Sequence, residues 1–290
     1  MRSAAIVCLC LVAAPAAAQE QIFGEAHFVG DAALEVVTRF RPARGAVEVR
    51  LGEQRVAVHE GAPRHAWAAG GDAGVLVVLL GVPLEAVFVP VEAGRLGAPR
   101  RAPIARPAGP DRAPVGAAVA LTPQGFSVFW QEASTTSPTA LYETYLAAFD
   151  RLGAPAGAPV RVHAQWPLAA VAWQPDRGQF FFLLYYGGGD PRGTRLCGVH
   201  VDPAQLRNVE HPFWSSRPGM IDEARLVVRD RRVVAVYRDD GRLFERDVTE
   251  GAWGTDPPEA RSHGPIAPSE AYGMRASASG VTIRRARLAP

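Results

Sequence analysis

Four carboxylates, Glu25, Asp222, Glu223 and Glu270, sit in or beside short segments rich in Ala and Gly. If those segments line a common axis, two carboxylates at a suitable separation could act as the acid and the base or nucleophile of glycoside hydrolysis. The surrounding sequence does not carry the S-x-D-x-G-x-T-W repeat of sialidases, so this chemistry stays an alternative. The histidines are His27, His59, His65, His163, His200, His211 and His263. They show neither H-E-x-x-H nor i, i+4 pairing, and they point to no metal. YYGGGDPRGTR (185–195) is glycine-rich but leads from one extended segment into another. It lacks the helix N-terminus that lets such loops hold phosphate. RDDGRLFERD (238–247) lacks the spacing of a calcium loop and reads as a charged turn. No cofactor is indicated.

Aromatic residues outside the apolar strands are the stronger signal. Trp166 lies in HAQWPL, and Phe213 and Trp214 lie in HPFWSSRPG, both connecting segments. A Trp ring offers a flat apolar face with a polar edge, which suits sugars and peptides alike.

The elements that must position these residues repeat along the chain. FGEAHFVGDAALEVVTRF (23–40), RHAWAAGGDAGVLVVLLG (64–81), GAAVALTPQGFSVFWQE (116–132), AAVAWQPDRGQFFFLLYY (169–186), EARLVVRDRRVVAVYRD (223–239) and AYGMRASASGVTIRRARL (271–288) each pair a short strand with an apolar one across a tight turn. The turns carry the Gly, Pro, Asp and Ser that close hairpins. The spacing between copies suits about four short strands per unit. Further strands are expected in EAVFVPVEAG, RRAPIAR, TYLAAFDRLG, APVRVHA, TRLCGVHVD and RNVEHPF. The first strand of each hairpin is small (Ala66 and Ala68, Ala117 and Ala118, Ala169 and Ala170, Ala224), as strands crowded around a narrow axis require. The second is bulky, and GFSVFWQE (125–132) should be covered on both faces.

The pattern G-F-x-V-x-W, a loop, then Y-L-x-x-F-D-x-x-G-x-P-x-G-x-P-V-x-V at 125–162 resembles the blades of secreted bacterial β-propeller repeat proteins. That family is functionally mixed, so the resemblance implies a fold and little about activity. The expected class is all-β, a β-propeller of six blades with about four strands each; five or seven would suit the same spacing. The last unit stops after two strands, and Gln19–Phe23 could supply one outer strand to it.

The start of the chain, MRSAAIVCLCLVAAPAAA (1–18), has a basic residue, a short apolar run and an A-x-A end, the pattern of a secretory signal peptide. Residues 19–290 then form one propeller domain in the periplasm, at the cell surface or outside the cell, with no membrane-spanning segment in the mature chain. Only Cys197 remains after cleavage, so no internal disulfide is available. The formal net charge is +2, and about +1 without Arg2, which gives no field favouring nucleic acid. The chain contains Arg but no Lys.

The longest loops between second and third strands, EASTTSPTALYE and YYGGGDPRGTR, belong to adjacent units. In a blade whose strands alternate in direction, these loops share a face with the links between blades. Glu132, Tyr142, Trp166, Tyr186, Asp190, Arg192, Phe213 and Trp214 are therefore the expected binding residues for a protein or glycan partner. The resulting reading is an exported, non-catalytic binding or scaffold module; the alternative is a propeller glycoside hydrolase or related polysaccharide-acting enzyme.

Overall fold

A computed structural model describes residues 21–29, 32–41, 44–62, 64–81, 83–104, 111–136, 142–162, 166–186, 195–206, 214–215, 221–229, 232–249, 261–265, 270–277 and 280–287. Among these, the only helical element is a single 3-10 turn at Pro203–Gln205; the rest of the regular structure is strand. Residues 1–18 lie outside the described residues.

Each of the six sequence hairpins forms, and most acquire further strands. The first sheet holds β1 (Gln21–Val29), β2 (Ala32–Arg41), β3 (Arg44–Leu51) and β4 (Gln54–Gly61) in sequential order. The second holds β5 (Ala66–Gly71), β6 (Gly74–Leu79) and β7 (Glu85–Glu92); one end of β7 pairs with β8 (Arg95–Leu96) and the other with β9 (Arg100–Pro103). The third comprises β10 (Arg112–Thr122), β11 (Gly125–Ser134), β12 (Glu143–Phe149) and β13 (Val160–Val162). The fourth comprises β14 (Leu168–Gln174), β15 (Gln179–Tyr186), β16 (Arg195–Val201) and β17 (Trp214–Ser215). The fifth comprises β18 (Ile221–Arg229), β19 (Arg232–Asp239), β20 (Arg242–Asp247) and β21 (Arg261–Pro265). The last sheet is the hairpin of β22 (Glu270–Ser277) and β23 (Gly280–Arg287).

Two expectations need correction. Among the described residues four sheets, not six, have the four-stranded blade form, because the second divides its outer edge between two short strands and the last has two strands. Gln21–Phe23 are not an outer strand of the last sheet. They pair with Thr38–Phe40 as the beginning of β1, where the full nine-residue ladder to β2 offers more hydrogen bonds than an outer position could.

The arrangement is that of a propeller. First strands lie side by side, β5 against β1 and β10, β14 against β10 and β18, and β22 against β1 and β18. The bulky second strands are filled on both faces. Gly125–Glu132 of β11 are all buried. Phe126, Val128 and Trp130 pack with Leu76, Val78 and Phe88 of the second sheet. Phe129 faces the other way, at 5.1 and 5.0 Å from Phe180 and Phe182 of the fourth. The same alternation sends Val75, Val77 and Leu79 toward the first sheet, and Phe181 and Leu183 toward the fifth. A strand with period-two side chains that are apolar on both sides can only be satisfied between two other sheets.

Candidate functional site

The strand directions put the starts of β10 and β14, the ends of β11 and β15, and the starts of β12 and β16 at one end of the third and fourth sheets. The backbones of Glu132, Tyr142, Trp166 and Tyr186 stand at that end, whereas Trp214 lies opposite Gly198, halfway along β16. Asp190, Arg192 and Phe213 lie outside the described residues, as do the side chains of Tyr186 and Trp214.

Two residues are not where sequence reasoning put them. Glu132 is inside β11 and fully buried, because the strand continues to Ser134 before the loop begins. Trp214 belongs to the outer strand β17, opposite Gly198, instead of a connection. Among the described residues this edge strand is the pair Trp214–Ser215, just beyond the expected RNVEHPF. Tyr142 is 36% exposed, and Trp166 is half-buried against the layer between the third and fourth sheets.

Around Glu132 the structure gathers polar residues that sequence reading missed. Glu132 pairs with Glu143 across the β11–β12 ladder. The Trp130 indole donates to Glu132 Oε1 at 3.1 Å, and its ring stacks on Tyr145 at 5.4 Å. Glu143 accepts a 2.6 Å hydrogen bond from the Tyr145 hydroxyl and holds two guanidiniums, Arg112 at 3.3 Å and Arg161 at 3.1 Å. Burial, then the Glu143 hydrogen bond and the nearby carboxylates, push the Tyr145 hydroxyl up to about 12; Arg161 opposes them. A tyrosine so held keeps its proton and donates it to Glu143, which makes it a poor general base.

On the opposite face of β11, Gln131 is buried and ties the link to the next sheet. Its amide nitrogen donates to Thr144 Oγ1 at 2.9 Å and to the Trp166 carbonyl at 2.8 Å, and its oxygen accepts from the Leu168 amide at 2.6 Å. One side chain thus fixes the backbone on either side of Pro167, from the Trp166 carbonyl to the Leu168 amide. A glutamine at the end of an otherwise apolar strand was the available signal.

Asp222, Glu223 and Glu270 lie at the starts of β18 and β22, whereas Glu25 is in the middle of β1; their side chains are outside the described residues. The glycine-rich loop joins β15 to β16, with Tyr186 opposite Arg195, so it runs from strand to strand. RDDGRLFERD forms a tight hairpin whose central Asp240 and Gly241 have φ of 47° and 70°. His59 bonds the Ala62 carbonyl at 2.7 Å, and His65 lies against Trp67. Among the described residues, no group of three or more His, Cys, Asp or Glu could hold a metal ion.

No protein-family model matches the chain, and no curated protein matches it in sequence. Solved structures do resemble it. A putative oxidoreductase (glucose dehydrogenase) from Thermus thermophilus matches with TM-score 0.50 and 12% identity, over 91% of this chain and 93% of that one. The chain has a β-propeller fold. A complex of KlAtg21 with the coiled-coil of AgAtg16 matches with TM-score 0.49 and 9% identity over 93% and 92% of the two chains. The Dos1 propeller matches with TM-score 0.42 and 10% identity over 86% and 71%. At such identities the likeness concerns the fold, because propellers host unrelated activities. No helix among the described residues is long and apolar enough to cross a membrane.

Proposed function

We propose that this propeller is an exported binding or scaffold module that engages a protein or glycan partner through the face carrying Tyr142 and Trp166. In this reading residues 1–18 are a cleaved leader and residues 19–290 are one domain. The single observation that carries the binding reading is the Gln131 clamp. It holds the backbone around a half-buried tryptophan at the same end of the fold as the exposed Tyr142. An aromatic anchor held by the scaffold loses little freedom when a partner docks, so more of its contact energy is retained as affinity.

The hydrolase reading is less well served. Glu132 is sealed from solvent, and Glu143 is already occupied by Tyr145, Arg112 and Arg161. A hydrolytic pair needs carboxylates open to substrate and, in most families, one poised to give up a proton.

The test is a glycan array and a panel of exported proteins, each probed with the parent and with Trp166→Ala and Tyr142→Ala. Loss of a captured partner, in variants that melt like the parent, supports this face. Undiminished capture by both variants moves the site elsewhere.

A further inference from the structure

The divided outer edge of the second sheet has a physical reason in its neighbour. Its two short strands, β8 and β9, pair with opposite ends of β7, and the segments carrying them also reach β4 of the first sheet. At one end the Gln54 amide spans the β8 backbone. Its nitrogen donates to the Gly94 carbonyl at 3.1 Å, and its oxygen accepts from the Leu96 amide at 3.0 Å. Gln131 grips the Trp166 carbonyl and the Leu168 amide with the same spacing. At the other end the Arg101 guanidinium of β9 donates to the Val58 carbonyl and is held by Glu85 at 3.0 Å. Val58 is the bulged residue of β4: His59 stands opposite Val47 and Ala57 opposite Glu48, which leaves Val58 no counterpart on β3. A bulge of this kind releases a backbone group from the ladder, and here that group receives Arg101.

We propose that β8 and β9 form a two-point latch that keeps the outer margin of the first sheet on the second, and that its release opens this seam while the third and fourth sheets stay closed. Val56, Val91 and Leu96 are partly buried against the layer between the first two sheets, so release uncovers an apolar margin. The latch is built to let go. Gln54 is exposed, and water competes for its hydrogen bonds, whereas Gln131 is buried and meets no such competition. The Arg101–Glu85 pair is partly exposed as well. Either point holds the margin when the other parts, so the seam opens only when both have let go. The latch joins the first and second sheets, whereas Tyr142 and Trp166 belong to the third sheet and its link to the fourth, so this proposal does not rest on the binding reading.

Native-state hydrogen exchange and trypsin cleavage after Arg95, exposed on β8, test it. In the parent protein the Leu96 amide should exchange at least about tenfold faster than the Leu168 amide, because the seam opens without the rest of the fold. Gln54→Ala and Arg101→Met should each raise cleavage after Arg95 slightly, and the double variant should raise it by more than the product of the two. Amides of β11 and β12 should keep their protection throughout. The parent exchange rates need no variant, so they decide the matter even if the double variant folds poorly. Three results overturn the proposal: Leu96 and Leu168 exchanging at one rate, a double-variant effect no larger than the product of the singles, or β11 and β12 losing protection together with Leu96.

Discussion

Glu132 and Glu143 stand directly opposite each other on neighbouring antiparallel strands, one sealed in the core and the other at its margin. Like charges in that relation repel, and here cations and donors surround the outer one: Arg112, Arg161 and the Tyr145 hydroxyl all engage Glu143. The Arg112 side chain is 14% exposed, so its ion pair with Glu143 is largely shielded from water. Glu143→Ala should therefore destabilise the fold by about 1–3 kcal/mol, measured by urea unfolding, because it removes the acceptor of the Tyr145 hydroxyl and a shielded ion pair to Arg112.

The Tyr145 hydroxyl gives the same cluster an alkaline signature. Its proton is held more tightly in the folded state, about 12 against an ordinary 10.0. The stability this contributes is present below pH 10 and is lost as pH rises toward 12. Glu143→Gln should move the tyrosinate transition down, but not fully to 10, because burial is the largest cause. Ultraviolet titration reads the shift, and an unmoved transition would show that Glu143 does not hold this proton.

His200 shapes stability at the acid end. Burial first, then the Arg177 charge, hold its imidazole down to about 4 from 6.5, against the opposing pull of a hydrogen bond to the Thr249 backbone. A depressed histidine makes the unfolded chain bind more protons between those values. Stability should thus be complete above pH 6.5 and fall as pH drops toward 4. His200→Gln should flatten that part of the urea midpoint against pH; an unchanged slope would assign it to other groups.

Gly153 holds the turn after β12 against the second sheet. Its φ is 76°, and a Cβ placed on it would lie 2.3 Å from Phe88 Cβ. Gly153→Ala should cost about 2–4 kcal/mol, combining backbone strain with overpacking. Phe88→Leu cannot rescue it, since the overlap is with a β-carbon that leucine keeps. Thermal melting of the single and double variants checks both statements.

Ala118 is 4% exposed on an innermost strand, in the layer that also holds Phe129 and Phe182. Ala118→Leu should destabilise by about 1–3 kcal/mol, because a close-packed layer between two sheets has no room for added methyl groups. A melt matching the parent would contradict that packing.

Much of the propeller was legible in sequence because two local rules, turn chemistry and small-then-bulky strands, recur in each unit. GFSVFWQE announced a strand buried on both faces, and β11 is buried from Gly125 to Glu132. The column of small residues marked the crowded inner strands: Ala68, Ala117, Ala118 and Ala224 are buried, and Ala169 and Ala170 are partly buried against the layer toward the fifth sheet. These properties are written in short windows, so no knowledge of distant contacts is needed to read them.

The tertiary structure alone decided the rest. Glu132 reads as the first residue of a polar loop until the register sets it against Glu143 and beneath Trp130. Gln131 reads only as a polar residue in a strand covered on both faces, and its partners are unknown until the next sheet brings Trp166 and Leu168 within hydrogen-bonding distance. Arg112, Glu143, Tyr145 and Arg161 come from three strands, and nothing in their local spacing predicts the meeting. The outer strand β13 falls within the expected APVRVHA, whereas the Trp214–Ser215 pairing lies beyond the expected RNVEHPF and is set by the ladder that β16 offers. Local sequence specifies which residues must be covered, whereas the packing of one sheet on the next determines which polar groups are brought together by being covered.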